Sequence, residues 1–233
     1  MPSIVYLIPT VLAENSIATL PPYLLDAVKE CRVFFVENER TARRFLKLLW
    51  KEIRIDDYQW YTIHKAEAEV RNSFLQYLKE EITIGVLSES GCPGIADPGQ
   101  ILIEAAHDKG AIIRPLVGPS ALLLALMGSG MNGQHFQFLG YLPVDTGERI
   151  QAIRTIEAES AKKNCTQLFI ETPYRTNQLL EALLKTCRGE TRLCIACDLT
   201  ASAEFIHTKP VSVWRKHPPD LHKHQVVFLL HAR

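Results

Sequence analysis

The segment Ser88-Glu-Ser-Gly-Cys-Pro-Gly-Ile-Ala-Asp-Pro-Gly99 directly follows the apolar run Ile84-Gly-Val-Leu87. The apolar run is typical of a buried strand, and the twelve residues after it, here called the glycine loop, contain three glycines and two prolines. Connections between a strand and a helix are usually about two to six residues long. Because open α/β sheets bind small molecules beyond the carboxyl ends of their strands, the glycine loop is predicted to be a ligand site.

Apolar runs and segments with helical periodicity alternate along the whole chain. This alternation predicts an α/β fold with two α/β domains. The first domain, residues 1–116, is expected to contain a mostly parallel sheet, and the second, residues 117–233, a mixed sheet. The stiff connector Pro115-Leu-Val-Gly-Pro119 marks the boundary, and the ligand is expected in a cleft between the domains.

Several expected helices carry more specific signals. The helix predicted from Glu39 to about Lys51 has basic residues on one face, and Phe45, Leu48 and Leu49 are expected to face inward. Its basic positions are Arg40, Arg43, Arg44, Lys47 and Lys51. They are either a solvated face or a strip that contacts RNA phosphates. Thr172 is expected to cap a later helix that has Pro173 in its first turn.

Composition and motifs exclude several classes of protein. The formal net charge is zero, so no overall electrostatic attraction to nucleic acid or membrane is expected. The first 84 residues contain no glycine, which excludes a dinucleotide-binding turn after the first strand. The string Gly128-Ser-Gly-Met-Asn-Gly133 follows a helical segment and is interpreted as a helix end. No apolar run is long enough to span a membrane, and the N-terminus has no basic leader, so a cytoplasmic location is expected.

The cysteines and histidines do not predict a metal site. Cys194 and Cys197 have a C-x-x-C spacing, but they fall in an apolar run that is typical of a strand, where positions three apart face opposite sides. They are therefore expected to be unliganded thiols of the core. The late histidines, at positions 217, 222, 224 and 231, are loosely spaced; a metal cluster there is the open alternative, but a polar loop before the last strand explains three of the four. No metal is expected.

Six segments, in order along nearly the whole chain, resemble the tetrapyrrole (corrin/porphyrin) methylase family of S-adenosylmethionine-dependent methyltransferases. The branch they resemble most methylates a ribose 2′-hydroxyl of small-subunit ribosomal RNA. The segments are the glycine loop, Val117-Gly-Pro-Ser-Ala121, Phe136–Pro143 (FQFLGYLP), Glu171-Thr-Pro-Tyr-Arg175, and more weakly Glu37-Asn-Glu-Arg40 with Arg43-Arg44, and Asp198-Leu-Thr200. Each is weak alone, and together they are specific.

The resemblance implies S-adenosyl-L-methionine as the cofactor, a homodimer, and ribosomal RNA or the small ribosomal subunit as the partner. It implies that the cofactor's amino-acid end and ribose contact the glycine loop and the start of the next domain, and that its adenine contacts segments of the second domain. The implied cofactor-binding residues are Ser88, Ser90, Gly91, Cys92, Ile95, Ser120 and Ala121, and for the adenine Glu171, Thr172, Leu199, His224 and Gln225. The substrate-binding residues are expected to be Arg40, Arg43, Arg44 and Lys47.

A hydroxyl acceptor also benefits from a general base, and carboxylates next to predicted strand ends are the candidates. These are Glu37, Glu89 and Asp97, with Glu171 as a further one. Asp97 has a second interpretation as a cap of the helix that follows the glycine loop. Two other functions stay open at this point. The chain could methylate a small tetrapyrrole-like molecule, or it could bind S-adenosylmethionine without catalysis.

Overall fold

The chain folds into two units, each built around its own five-stranded sheet. In the computed structural model, which describes residues 2–63 and 67–233, contacts divide the chain into Met1–Ser120 and Ala121–Arg233. The sequence places this division after residue 116. The α/β fold expected from the alternating pattern is confirmed.

The first unit alternates strands and helices. Its strands are β1 (Ile4–Ile8), β2 (Val33–Val36), β3 (Gln59–Thr62), β4 (Ile84–Leu87) and β5 (Ile112–Pro115). Its α-helices are α1 (Leu24–Glu30), α2 (Glu39–Leu49), α3 (Glu67–Lys79) and α4 (Gln100–Asp108), with short 3-10 helices at Ile17–Thr19 and Ile55–Asp57. The sequence predicts that α3 begins at Ala66, and that residue lies outside the described part of the chain.

All strand pairs of the first sheet are parallel, and their order is β3-β2-β4-β1-β5. Helices cover both faces, which is why neighbouring strand residues can both be buried. Phe34 stacks on Trp60 at 5.0 Å between ring centroids, while the ring of Phe35 meets Phe74 of α3 edge-on at 5.1 Å. Because β4 lies between β1 and β2, the glycine loop is flanked by the segments that follow those two strands.

The second unit has a mixed sheet. Its strands are β6 (Phe136–Tyr141), β7 (Thr166–Glu171), β8 (Arg192–Cys197), β9 (Phe205–Pro210) and β10 (Val226–His231). Its helices are α5 (Ala121–Ser129), α6 (Thr146–Lys163), α7 (Thr176–Thr186) and α8 (Val211–Trp214). The strand order is β6-β7-β10-β8-β9; only the β6–β7 pair is parallel.

The position of β10 determines which residues meet at one edge of this sheet. Val226, the first residue of β10, pairs with Glu171 on one side and with Cys197 on the other. Glu171 and Cys197 are the last residues of β7 and β8. The segments after β7 and β8, and the segment before β10, therefore lie at the same edge.

Three local expectations are wrong. Pro173 does not lie in a helix: residues 172–175 form a turn closed by the Arg175 N–H and the Thr172 carbonyl oxygen at 2.9 Å, and α7 begins only at Thr176. The sequence also predicts a helix from Glu148 to Ser160, but α6 begins at Thr146, because the Asp145 carboxylate caps it by accepting the Glu148 N–H at 2.9 Å. Leu48 does not face inward; its side chain is 51% exposed.

Gln167 of β7 is a buried polar residue that lacks hydrogen-bond partners. It is 1% exposed, and neither its amide nitrogen nor its amide oxygen has a partner. Burying an unsatisfied amide costs about 1–3 kcal/mol. We therefore expect Gln167→Met to raise the free energy of unfolding by about 1 kcal/mol in urea titrations. Gln137→Met, at the exposed position opposite in β6, is the matched control and should change little; destabilisation by Gln167→Met would contradict the prediction.

Candidate functional site

The glycine loop has the backbone conformation that its composition predicts. Gly91 and Gly94 have φ of +75° and +81°, values at which a residue with a Cβ is strained. Ala96 also has a positive φ, +60°. One carboxylate oxygen of Asp97, Oδ1, accepts the N–H groups of Gly94 at 2.9 Å and Gly99 at 2.7 Å. Asp97 therefore orders the loop through an Asx-type turn, but it does not cap α4, because the N-cap of that helix is Gly99 and no side chain caps it.

Segments after the two neighbouring strands hold the loop from both sides. On the β1 side, the Thr10 N–H donates to the Gly91 carbonyl oxygen at 2.9 Å. On the β2 side, Glu37 Oε2 accepts the Glu89 N–H at 2.9 Å, and Thr41 Oγ1 donates to Glu89 Oε1 at 3.2 Å. Two of the proposed general bases, Glu37 and Glu89, thus join the loop to the start of α2.

The expected cofactor residues of the loop differ in burial. Ser88 is buried and its hydroxyl donates to the Gly91 carbonyl oxygen at 3.1 Å, whereas Ser90 is exposed and Ile95 is 53% exposed. Cys92 is half-buried, with its Sγ 3.5 Å from the Pro119 carbonyl oxygen. Burial raises the pKa of the Cys92 thiol, so it stays protonated near neutral pH. An exposed apolar side chain beside strained backbone is suited to contact a ligand.

The basic residues of α2 do not form one free strip. Arg43 lies over the Trp60 ring at 5.2 Å and pairs with Glu39 at 2.5 Å, and Lys47 Nζ donates to the Ile53 carbonyl oxygen at 2.5 Å. Arg40 and Arg44 are exposed. An open cavity of about 640 Å³ lies at the start of α2. Its lining residues are Glu37, Asn38, Glu39, Arg40, Arg43, Arg44 and Thr62.

At the edge of the second sheet, Glu171 forms a buried ion pair. Its side chain is 1% exposed, and Oε1 accepts Arg175 Nη2 at 2.7 Å and Arg175 Nε at 3.0 Å. The same oxygen accepts the Thr172 N–H at 2.7 Å. This carboxylate shapes the turn after β7, and its burial separates it from any acceptor in solvent.

Beside this pair, Asp198 and His224 are in direct contact. Asp198 Oδ2 lies 2.5 Å from His224 Nδ1, and Asp198 Oδ1 accepts the Gln225 N–H at 3.0 Å. Leu199, the next residue after Asp198, is buried. Glu171, Thr172, Leu199, His224 and Gln225, which the resemblance assigned to the adenine, therefore lie at one sheet edge. Ser120 and Ala121 are adjacent at the point where α5 begins.

The cysteines of β8 lie in the core. Cys194 and Cys197 are both fully buried, and neither forms a disulfide. Burial, aided by the Asp198 carboxylate, raises the pKa of Cys197 to about 12. Among the described residues, one group has metal-compatible spacing: donor atoms of Cys197, Asp198 and His224 lie within 4.8 Å of one another. The His231 ring instead meets the Asn164 side chain at 3.1 Å.

We expect the purified protein to contain no stoichiometric zinc. A thiol that stays protonated in the core is a poor zinc ligand, because zinc binds the thiolate, and the Asp198 and His224 atoms already contact each other. Elemental analysis of the purified protein measures this directly. One zinc per chain that is lost in Cys197→Ser but retained in Cys31→Ser, at another buried cysteine, would contradict the expectation.

The sequence did not identify the Asp198–His224 pair as a chemical unit. The two residues are 26 positions apart, and only the placement of β10 beside β8 brings them together. No helix in the described part of the chain combines the length and the apolar character that crossing a membrane requires.

Comparisons with known proteins place the chain among methyltransferases. A model of the family described as Tetrapyrrole (Corrin/Porphyrin) Methylases matches residues 18–212. A protein of Vibrio cholerae named ribosomal RNA small subunit methyltransferase I is 26% identical over 98% of this chain and 77% of its own length. Proteins of the same name from Escherichia coli O157:H7 and Mycobacterium tuberculosis H37Rv are 27% and 31% identical, over 97% and 79% of this chain and 76% and 63% of their own lengths.

Solved structures show the same fold at lower identity. The methyltransferase CobJ is 19% identical with a TM-score of 0.64, and the match covers 100% of this chain and 95% of CobJ. Diphthine synthase is 14% identical with a TM-score of 0.68, covering 98% of this chain and 89% of that protein.

Proposed function

Because the chain belongs to the tetrapyrrole (corrin/porphyrin) methylase family, we propose that it transfers a methyl group from S-adenosyl-L-methionine to a ribose 2′-hydroxyl of small-subunit ribosomal RNA. The family and the class of S-adenosylmethionine-dependent methyltransferase predicted from the sequence are confirmed. The ribose 2′-hydroxyl as the methyl acceptor is the part that we propose beyond this class. It is supported by the relatives that are named for the small-subunit ribosomal RNA.

The backbone of the glycine loop is the observation that carries cofactor binding. Gly91 and Gly94 have positive φ in the segment after β4, at the carboxyl end of the strand, where an α/β sheet binds its ligand. We propose that Ser88, Ser90, Gly91, Cys92 and Ile95 contact the amino-acid end and ribose of the cofactor. We propose that Ser120 and Ala121 contact the same part of the cofactor.

For the adenine we propose the edge of the second sheet. Leu199 supplies buried apolar surface there, and Thr172 and Gln225 lie at the same edge, where the Glu171 and Asp198 carboxylates accept their N–H groups. Glu171 contributes by shaping the turn that contains Thr172, because its carboxylate accepts the Thr172 N–H. His224 is the last of the residues that we propose to contact the adenine.

Methyl transfer itself requires alignment more than activation. The methyl group of a sulfonium is already electrophilic, so the protein must hold the acceptor oxygen, the methyl carbon and the sulfur in line. A rigid loop suits this task. Here Asp97 hydrogen-bonds the backbone of the glycine loop from within the loop, Glu37 from the segment after β2 and Thr10 from the segment after β1.

For RNA we propose the exposed part of the basic face of α2. Arg40 and Arg44 are exposed beside the cavity at the start of the helix, with Arg44 Nη2 3.7 Å from Glu14 Oε1, while Arg43 and Lys47 make closer contacts with the protein. Arg43 and Lys47 then contribute by their charge and by orienting the helix surface. Guanidinium groups at such positions bind phosphates.

The variant Arg40→Glu/Arg44→Glu tests this surface. We expect RNA affinity to fall and the slope of log affinity against log salt to decrease by about 1–2, because two phosphate contacts are lost. S-adenosylmethionine affinity should not change. Lys79→Glu/Lys109→Glu carries the same charge change on exposed positions of α3 and after α4, and is the matched control. An unchanged RNA affinity and salt slope would mean that the α2 face is only solvated.

We propose further that the protein acts in the cytoplasm as a homodimer, as the resemblance implies. Sedimentation of the purified chain measures the oligomeric state. If the protein is a monomer at micromolar concentration, the proposed homodimer is wrong, whereas the proposed reaction does not depend on this result.

Two measurements on one preparation test the function. Calorimetric titration with S-adenosylmethionine measures cofactor binding, and transfer of a tritiated methyl group to total RNA of a deletion strain measures the acceptor. We expect both to succeed, with the label in small-subunit ribosomal RNA. Binding without transfer to RNA would favour a small tetrapyrrole-like acceptor or a protein without catalysis, and absence of binding would refute the proposal.

A further inference from the structure

The cavity at the start of α2 lies at the carboxyl ends of β2 and β3, next to the glycine loop. Glu37 directly follows β2 and Thr62 is the last residue of β3, and both line the cavity. Glu37 also accepts the Glu89 N–H of the glycine loop at 2.9 Å. The cavity volume of about 640 Å³ falls within the range of about 300–1,000 Å³ that is common for ligand sites. The cavity therefore adjoins the glycine loop within the first unit.

A chain of flat side chains connects the core of the first unit to this cavity. Phe34, which is fully buried in β2, stacks on Trp60 with ring centroids 5.0 Å apart. The Trp60 ring is fixed further because its Nε1 donates to the Ile55 carbonyl oxygen at 3.0 Å. The Arg43 guanidinium lies over the Trp60 ring, 5.2 Å from its centroid, and lines the cavity. A planar group supported by the core is thus present at the cavity wall.

The Arg43 side chain is restrained more than the two arginines beside it. Glu39 Oε1 pairs with Arg43 Nη2 at 2.5 Å, and the Trp60 ring contacts the same guanidinium. Arg40 and Arg44, in contrast, are exposed. A guanidinium that is already ordered loses little conformational entropy when a flat ligand stacks on it. Arg43 is therefore suited to a planar ligand, whereas Arg40 and Arg44 are suited to an anion.

Asn38 offers hydrogen-bond donors at the same cavity. Its Oδ1 caps α2 by accepting the N–H groups of Arg40 at 3.0 Å and Thr41 at 3.3 Å. These two donors fix which end of the amide is the oxygen, so the NH₂ group points away from them. Asn38 is exposed and lines the cavity. A flat cationic group, an amide donor and two further guanidinium groups together match a nucleotide, which has a planar base with acceptor atoms and a phosphate.

We propose that this cavity binds an unpaired nucleotide of the RNA, next to the ribose that is methylated. The base stacks on the Arg43 guanidinium and accepts a hydrogen bond from the Asn38 amide, while Arg40 and Arg44 bind the phosphate. This inference rests on the proposed function and names the form of RNA that the α2 surface takes. Only an unpaired base can turn out of its strand and stack on a side chain. A ribose within a duplex is therefore a poor substrate.

One change in the RNA combined with one in the protein tests the stacking contact. The RNA is an oligoribonucleotide of about ten nucleotides centred on the methylated ribose, made also with the base removed at each position in turn. Fluorescence anisotropy measures its affinity. We expect one position next to that ribose at which removal of the base weakens binding to the wild-type protein about tenfold. In Arg43→Lys, which keeps the charge without the planar group, removal of the same base should change the affinity less than about twofold.

Asn38→Asp is a second variant that does not depend on Arg43. Asp caps a helix about as well as Asn, so α2 should keep its start, but the carboxylate has no N–H to donate to the base. The loss of affinity on removing the base should therefore be smaller in Asn38→Asp than in the wild-type protein. A folding defect in Arg43→Lys alone then does not decide the result.

Three controls separate stacking from charge and from folding. The slope of log affinity against log salt should be the same in the wild-type protein and Arg43→Lys, because the number of charges is unchanged. The Kd for S-adenosylmethionine should also be unchanged in Arg43→Lys, which shows that the protein is folded. Arg71→Lys is the same substitution at an exposed position of α3 and should bind every oligonucleotide as the wild-type protein does.

Three results would overturn the inference while the proposed function stands. The first is that no single base contributes to the affinity of the wild-type protein, which would mean that α2 binds phosphates only. The second is an equal loss in the wild-type protein and both variants, which would place the base elsewhere. The third is an unchanged rate of methyl transfer when a complementary DNA strand pairs with the segment around the methylated ribose. A wild-type protein that methylates no RNA would instead refute the proposed function, and the inference with it.

Discussion

Replacement of Gly91 by alanine is expected to lower the affinity for S-adenosylmethionine by about tenfold or more, which corresponds to about 1.4 kcal/mol of binding free energy. Gly91 has φ of +75°, and a Cβ there would lie 3.1 Å from Leu12 Cδ2 and 3.2 Å from the Pro119 carbonyl oxygen. The added methyl group both strains the backbone and pushes the glycine loop away from its neighbours. The loop then loses the conformation that presents its peptide groups to the cofactor.

The control for this variant is Gly110→Ala. Gly110 has φ of +68°, and nothing lies within 4 Å of a Cβ built on it. It therefore carries a similar backbone strain, about 1–2 kcal/mol, at a position after α4 that is not in the glycine loop. Calorimetric titration with S-adenosylmethionine should show a large loss of affinity for Gly91→Ala. For Gly110→Ala the affinity should change by less than about twofold. Equal affinities for S-adenosylmethionine in the two folded variants would show that the glycine loop does not bind the cofactor.

Removal of Arg175 is expected to have the largest effect on stability. Arg175→Ala leaves the Glu171 carboxylate, whose side chain is 1% exposed, without its cation. An unpaired buried charge costs about 3–5 kcal/mol. Urea unfolding should therefore show a free energy of unfolding about 3 kcal/mol lower, with Glu171→Gln/Arg175→Met recovering most of it because no charge is then buried alone.

Lys185→Ala provides the matched control for that loss. Lys185 and Glu181 form an ion pair at 2.5 Å with the same spacing of four residues, but their side chains are 74% and 63% exposed. Exposed pairs contribute little because water solvates both charges, so the unfolding midpoint should not move. An unfolding midpoint for Arg175→Ala that also stays in place would show that the buried Glu171 carboxylate does not depend on Arg175 and would contradict the prediction.

Local sequence signals were sufficient where a single segment determines the structure. The apolar run before Ser88 and the glycines after it fixed the place of the glycine loop, because a strand must end where such residues begin. The turn at Asp97 also depends only on neighbours in sequence: its carboxylate accepts the Gly94 and Gly99 N–H groups, although it does not cap α4. The error at Pro173 has the opposite origin: the Glu171–Arg175 ion pair makes an independent turn before α7.

Contacts that depend on strand order could not be derived in this way. Thr10 and Glu37 hold the glycine loop because β4 is inserted between β1 and β2, an order that hydrophobic periodicity does not encode. The same holds for His224, which meets Asp198 because β10 lies between β7 and β8. Leu48 was misplaced because helical spacing alone does not say how wide the buried stripe is.

Alkaline hydrolysis of methylated RNA identifies the methyl acceptor directly, because it distinguishes a methylated ribose from a methylated base. Small-subunit RNA from a deletion strain is labelled with tritiated S-adenosylmethionine and then digested with alkali, which needs a free 2′-hydroxyl to break the chain. A ribose methylated at that oxygen resists cleavage, so we expect the tritium in an alkali-resistant dinucleotide. Tritium in mononucleotides would place the methyl group on a base and contradict the proposed reaction.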